Sequence, residues 1–217
     1  MKNPYFILCF VSSMYLASCT FDEEIKYSCD ETTNMWVKEN LTKIRALSRS
    51  EWINLDASKQ IASYRAFTPE QRILFWKTKV KEVKKLDWNE AEIQHIEDAE
   101  KFIDTHHHLF VKNKLTDEES DELELFFYKW QKDGIEKLGW TERIGKSIFV
   151  SGDPVIDTKG NVIYKKPYPK ENCHCQKEND FCNQSFGPCI KVNWCVYQSN
   201  GCGWLFLSEC NGRCNGV

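Results

Sequence analysis

Thr68-Pro69-Glu70-Gln71 opens the stretch that decides how this chain folds. Thr68 can cap a helix, Pro69 suits its first turn, and Gln71 stands where a capping box closes. Ile73, Trp76, Val80 and Val83 then recur at spacings of three and four, opposite Lys77, Lys79, Lys81 and Lys85, the pattern of an amphipathic helix. The same reading extends outward. Asp87 with Glu90 predicts the start of a helix carrying Ile93, Ile96 and Ile103, and Thr116 with Glu119 another carrying Leu123, Phe126, Phe127, Trp130 and Leu138, with Gly139 as its stop. Upstream, Val37, Leu41 and Ile44 suggest one helix and Glu51 to Phe67 another. The fold class expected is mainly α, a small helical bundle followed by a short β-hairpin and linker region and a small disulfide-rich C-terminal domain.

The cysteines divide the 217 residues unevenly. Eight of the 11 lie between Cys173 and Val217, a stretch of 45 residues with three Lys/Arg and three Asp/Glu. A segment that short cannot bury enough apolar surface to fold on its core alone, so the density implies covalent staples. Net charge is −3, which argues against a uniformly basic nucleic-acid binder, and no nucleotide-binding glycine motif is present. Hydrophobic residues at 41%, spread through charged sequence, exclude a disordered chain and a polytopic membrane protein.

At the N-terminus, Lys2 precedes an apolar run from Tyr5 to Leu16, ending in Leu16-Ala17-Ser18-Cys19. The run is too short to span a bilayer and reads as a signal peptide over residues 1–18. Small residues before a cysteine resemble a bacterial lipoprotein lipobox, which makes Cys19 the lipidated first residue of a membrane-anchored lipoprotein. A plain secretory signal is the alternative. The acidic Asp22-Glu23-Glu24 cluster nearby resembles an export signal to the outer membrane or cell surface. Either route leads to an oxidising compartment where disulfides persist.

Residues 19–147 are expected to form the helical domain and 148–172 a hairpin and proline-containing linker. Ile148-Phe149-Val150, Val155-Ile156 and Val162-Ile163-Tyr164 are β-prone runs separated by turn residues, and Lys165-Lys166-Pro167-Tyr168-Pro169-Lys170 reads as extended and open to a processing protease at 165–172. His106-His107-His108 with His95 invites a metal reading. Adjacent histidines on a helix point about 100° apart, and HExxH is absent, so a structural role is preferred, with no metal, no cofactor and no catalytic residue assigned. The lysine-rich face of the Thr68 helix is read as a solvated surface.

In residues 173–217, Cys173, Cys175, Cys182, Cys189, Cys195, Cys202, Cys210 and Cys214 contain no CxxC pair, which counts against zinc knuckles and thioredoxin-like chemistry. Four disulfides are expected, with the pairing open and Cys173 and Cys175 bonded to different partners. Cys29 is then the odd thiol, left single, intermolecular or joined to the tail. Phe181, Phe186, Trp194, Tyr197, Trp204 and Phe206 cannot all be interior in so short a chain, so this set is expected to supply membrane or partner contacts, against the alternative that they pack on the disulfides.

Cys173-His174-Cys175, Gly201-Cys202-Gly203-Trp204 and Cys210-Asn211-Gly212-Arg213-Cys214 together resemble the fulvocin C-related bacteriocin family. Trp36-Val37, Trp76-Lys77-Thr78-Lys79 and Trp88-Asn89 add a less specific likeness in the helical part. The resemblance implies a secreted, lipid-anchored precursor whose four-disulfide C-terminal domain acts against other bacteria, with a target-cell membrane or surface receptor as partner and no nucleic acid. The alternative is a surface-binding module in which the tail stays attached and recognises a glycan or protein. Neither reading is enzymatic.

Overall fold

Eight helices precede four short strands in the computed structural model, which describes residues 25–163, 173–177, 182, 188–193 and 195–214. The helices are α1 (Glu31–Glu39), α2 (Leu41–Ile44), α3 (Arg49–Asn54), α4 (Ala57–Ala66), α5 (Pro69–Val83), α6 (Glu90–Thr105), α7 (Asp117–Leu138) and α8 (Glu142–Phe149). The strands are β1 (Cys189–Lys191), β2 (Gln198–Cys202), β3 (Ser208–Cys210) and β4 (Gly212–Cys214). β1 pairs antiparallel with β4, and β2 with β3. The mainly helical reading with a stapled C-terminal region holds.

Capping explains most boundaries. Thr68 accepts from the Gln71 backbone N–H with Pro69 in the first turn, as expected, but the Gln71 side chain donates instead to the Ile44 and Leu47 carbonyls and leaves the box half made. Asn89 with Glu92, rather than Asp87 with Glu90, forms the box that starts α6. Thr116 and Glu119 close theirs at α7, which ends on Gly139 in the left-handed conformation (φ 71°), a backbone that glycine adopts without a steric penalty. The expected helix through Val37 and Ile44 breaks at Asn40, and the one from Glu51 to Phe67 breaks where Asp56 caps α4.

Two expectations fail in informative ways. Ile148 and Phe149 do not start a strand but are buried at the end of α8, whereas the β-prone runs beyond form the expected short hairpin, with Val155 bridged antiparallel to Val162 and the Ile156 N–H donating to Asn161 O. Lys79 is not on a solvated face. It is fully buried, and its Nζ donates to the carbonyls of Ser147 (2.7 Å) and Ser151. Those carbonyls lie where α8 ends, beyond the last helical hydrogen bonds, and the buried Lys79 Nζ satisfies them. Arg49 does the same for Gly152, donating from Nη1 to its carbonyl at 2.8 Å.

The core runs through the bundle on Trp52, Tyr64, Phe75, Trp76, Val80, Ile96, Ile103, Phe127 and Trp130, and continues without a break into Trp204, Leu205, Phe206 and Leu207. The expected boundary between helical domain and tail therefore does not coincide with a boundary in packing. Residues 204–207 are part of the helical core.

Candidate functional site

Every described tail cysteine is paired. Cys173 bonds Cys195, Cys175 bonds Cys189, Cys182 bonds Cys214 and Cys202 bonds Cys210. Cys173 and Cys175 take different partners, as strain in so short a loop requires. The sulfurs of Cys175, Cys182 and Cys189 lie within 4.8 Å of one another, yet each is consumed in a disulfide, so the group offers no thiolate to a metal. Cys29 remains a thiol in contact with the Gln198 carboxamide. Burial pushes its pKa up, against the pull of Arg65 and Lys26, which lowers its thiolate fraction near neutral pH.

The tail meets the helices through α4 and α5. Tyr64 Oη and Trp76 Nε1 each donate to the Leu205 carbonyl at 2.9 Å. Arg65 donates from Nε to Asn200 O at 3.0 Å and from Nη1 to Tyr27 O at 3.1 Å, linking the N-terminal segment to β2. Asn200 in turn donates to Asn113 O at 2.9 Å. Phe206 sits edge-on to Tyr64 and Trp76, each at 5.1 Å between ring centres, and Trp204 stacks on Phe127 at 4.6 Å. Leu205 and Phe206 hold positive φ of 54° and 56°, a conformation disfavoured by roughly 1–2 kcal/mol per residue for L side chains. It persists because it turns both side chains into the core.

This placement corrects the contact set. Trp204 and Phe206, expected at a membrane or partner surface, are 2% and 6% exposed. They lie neither at a surface nor on the disulfides but in the helical core. Tyr197 is 49% exposed, alongside Val196 and Ile190. Phe181, Phe186 and Trp194, the anchor Cys19 and the linker 165–172 lie outside the described residues. Sequence reasoning missed Tyr64, Arg65 and Asn200 as docking residues. The sequence carried little signal: half of α4 is polar, with Ser58, Lys59, Gln60, Ser63 and Arg65, and only the structure shows nearly all of it buried.

A cleft of about 450 Å³ opens where the tail meets α7 and α8. Trp204 lines it, Tyr128 and Ile135 stand on its rim, and Gln131, Glu142 and Lys146 supply polar groups. Glu142 and Lys146 pair at 3.4 Å, leaving the wall close to neutral. Its size is that of a small-molecule or side-chain site, and its chemistry suits an amphipathic ligand.

The histidines are dispersed. His95 stacks flat on Trp130 at 4.8 Å and its Nε2 contacts Trp130 O at 2.9 Å, and burial lowers its pKa. His106 stacks on Phe102 and approaches Glu122 at 3.3 Å, His108 approaches the other oxygen of that carboxylate at 3.5 Å, and His107 is exposed. Among the described residues, no three of these ligands gather around one point. Comparison with protein-family models, with curated proteins and with solved structures finds no match to this chain.

Proposed function

We propose that the chain is an extracytoplasmic, lipid-anchored binding protein whose cysteine-rich tail acts while attached to its helical body. The signal-like N-terminus with Cys19 and the fully paired tail cysteines support the compartment. One observation carries the attached mode: Trp204, Leu205, Phe206 and Leu207 belong to the same buried cluster as Trp76 and Phe127. Pulling them out would expose several aromatic and aliphatic side chains at about 1.5–3 kcal/mol each. The half of the tail around Ile190, Val196 and Tyr197 is the exposed face available to a glycan or protein at a cell surface.

The second reading is a bacteriocin of the fulvocin C-related type released at the linker. It has one observation in its favour: all four disulfides close within residues 173–214 and none reaches the helical body, so one cut would remove every covalent tie.

A single experiment separates them. A protease site placed between residues 165 and 172 is cut under native, oxidising conditions, and the product is passed over a sizing column and added to bacterial cultures. Co-elution of the two pieces without growth inhibition supports the attached module. Separation of the tail as a free species that inhibits growth overturns it in favour of release.

A further inference from the structure

We propose that the outward face of α7 is a self-association surface, on which a second copy of this chain docks its own α7 antiparallel. The face uses none of the residues of the tail surface around Tyr197, so it stands or fails apart from the attached-tail reading.

α7 runs for 22 residues and turns Leu123, Phe127, Trp130 and Gly134 into the core. Successive residues rotate by about 100°, which places Asp121, Leu125, Tyr128 and Lys132 in one stripe on the opposite side. All four are exposed, Leu125 at 54% and Tyr128 at 65%. Their spacing, four, three and four residues apart in the sequence, is that of a seam between paired helices. The stripe is also a ridge. On one flank lies the cleft beside Trp204, and on the other a groove of about 420 Å³ lined by Phe102 and Phe126, whose rings stack at 4.1 Å.

The order of residues along the stripe selects the occupant, because it is complementary to its own reverse. With a two-fold axis level with the Phe126–Phe127 peptide, Asp121 faces Lys132 of the second copy and Leu125 faces its Tyr128. The same two contacts recur on the other side of the axis, the isologous arrangement in which one patch serves both partners. Lys132 approaches Glu136 of its own chain only to 3.9 Å, which leaves its charge available. A parallel pair would instead set like charges opposite each other at both ends. The wider charge pattern agrees: residues 117–124 carry six acidic side chains and no basic one, whereas all three lysines of α7 lie in its second half. An anionic bilayer would repel that acidic end. At 1.5 Å per residue α7 is about 33 Å long, so a face about 10 Å wide covers roughly 350 Å² per copy, less than half of a standard interface. The dimer is accordingly weak, with a dissociation constant on the order of 0.1 mM.

The test is sedimentation velocity of the full oxidised chain from about 10 μM to about 1 mM. Expected is a concentration-dependent monomer–dimer equilibrium. Asp121→Lys or Lys132→Asp alone turns two attractive pairs into two repulsive ones and should weaken it at least about tenfold, with thermal unfolding close to the parent's because both positions are exposed. The two variants mixed in equal amounts should associate with each other, since antiparallel docking then restores opposite charges at both ends, and the double variant should dimerise like the parent. The proposal is overturned by a chain that stays monomeric throughout, by association indifferent to either reversal, or by single variants that do not associate on mixing. A monomeric chain that floats with vesicles of phosphatidylcholine and phosphatidylglycerol, and ceases to on Tyr128→Ser, would overturn it in favour of a lipid surface.

Discussion

Substituting Phe206 separates a tail that is part of the core from one that merely rests on it. Phe206 is 6% exposed and packs edge-on against Tyr64 and Trp76, with Phe75 at 6.5 Å. Truncating a buried phenylalanine to alanine removes about 3–5 kcal/mol, the lost transfer energy plus the cavity. With a urea slope of about 2 kcal/mol per molar, Phe206→Ala should lower the unfolding midpoint by roughly 1.5–2.5 M. Phe206→Gly provides a second reading. Glycine is ordinarily worse than alanine by about 0.5–1 kcal/mol, but at φ 56° alanine retains the left-handed penalty and glycine sheds it. The glycine variant should therefore unfold at the same urea concentration as the alanine variant or higher. The assay is far-ultraviolet circular dichroism, which reports the helices, on protein with its disulfides intact. A helical transition unmoved by Phe206→Ala would refute the shared core outright, because the lost contacts would then belong to a unit that unfolds separately.

Three further outcomes follow from the buried groups. Gly152→Ala should destabilise by about 1–3 kcal/mol in urea unfolding, because an added Cβ would collide with the Trp52 ring and lie 3.1 Å from Phe206. The lowered pKa of His95, caused first by burial, means that the unfolded chain takes up a proton at higher pH than the folded one. Stability should hold above the unfolded value near 6.5 and fall as pH drops below it, and a urea series at pH 5 to 7.5 on His95→Gln should show a shallower decline. Lys79, fully buried and beside Arg49, titrates well below its ordinary range, with burial as the leading cause. The unfolded chain keeps its proton up to about pH 10.4, so where the folded chain has already lost it stability should rise with pH toward that value, and Lys79→Met should flatten the rise. The window closes near pH 10, where Tyr64, its pKa raised by burial, begins to contribute the opposite sign.

The helices were legible because their signals are local. Thr68 with Pro69 and Thr116 with Glu119 announce their own helix starts, and Trp76, Val80 and Val83 announce a face. Lys79 was misread because periodicity ranks a lysine by its charge, whereas its burial depends on where α8 ends, some 70 residues later in the chain. Trp204 and Phe206 were misread for a related reason. Counting aromatics in a 45-residue tail assumes that the tail must cover its own hydrophobic surface, and the helical body covers it instead. Disulfide pairing was closed to the sequence because eight cysteines admit on the order of a hundred arrangements.

The docking contact also explains what the staples do. Two-stranded ribbons as short as β1 with β4 and β2 with β3 are marginal alone. The loop that enters the core is disfavoured further by two left-handed residues, at roughly 2–4 kcal/mol together. Cys202 and Cys210 close that loop, with a sequence separation of 8, and a closure of this length removes about 2–3 kcal/mol of chain entropy from the unfolded state. The two terms are of similar size, so the disulfide offsets the strain and leaves burial of residues 204–207 as net attachment. Cys173–Cys195 and Cys175–Cys189 hold the other half, where Ile190, Val196 and Tyr197 face outward. One half of the tail is thereby anchored and the other presented, which is the division of labour a binding module requires and a diffusible peptide would have to undo.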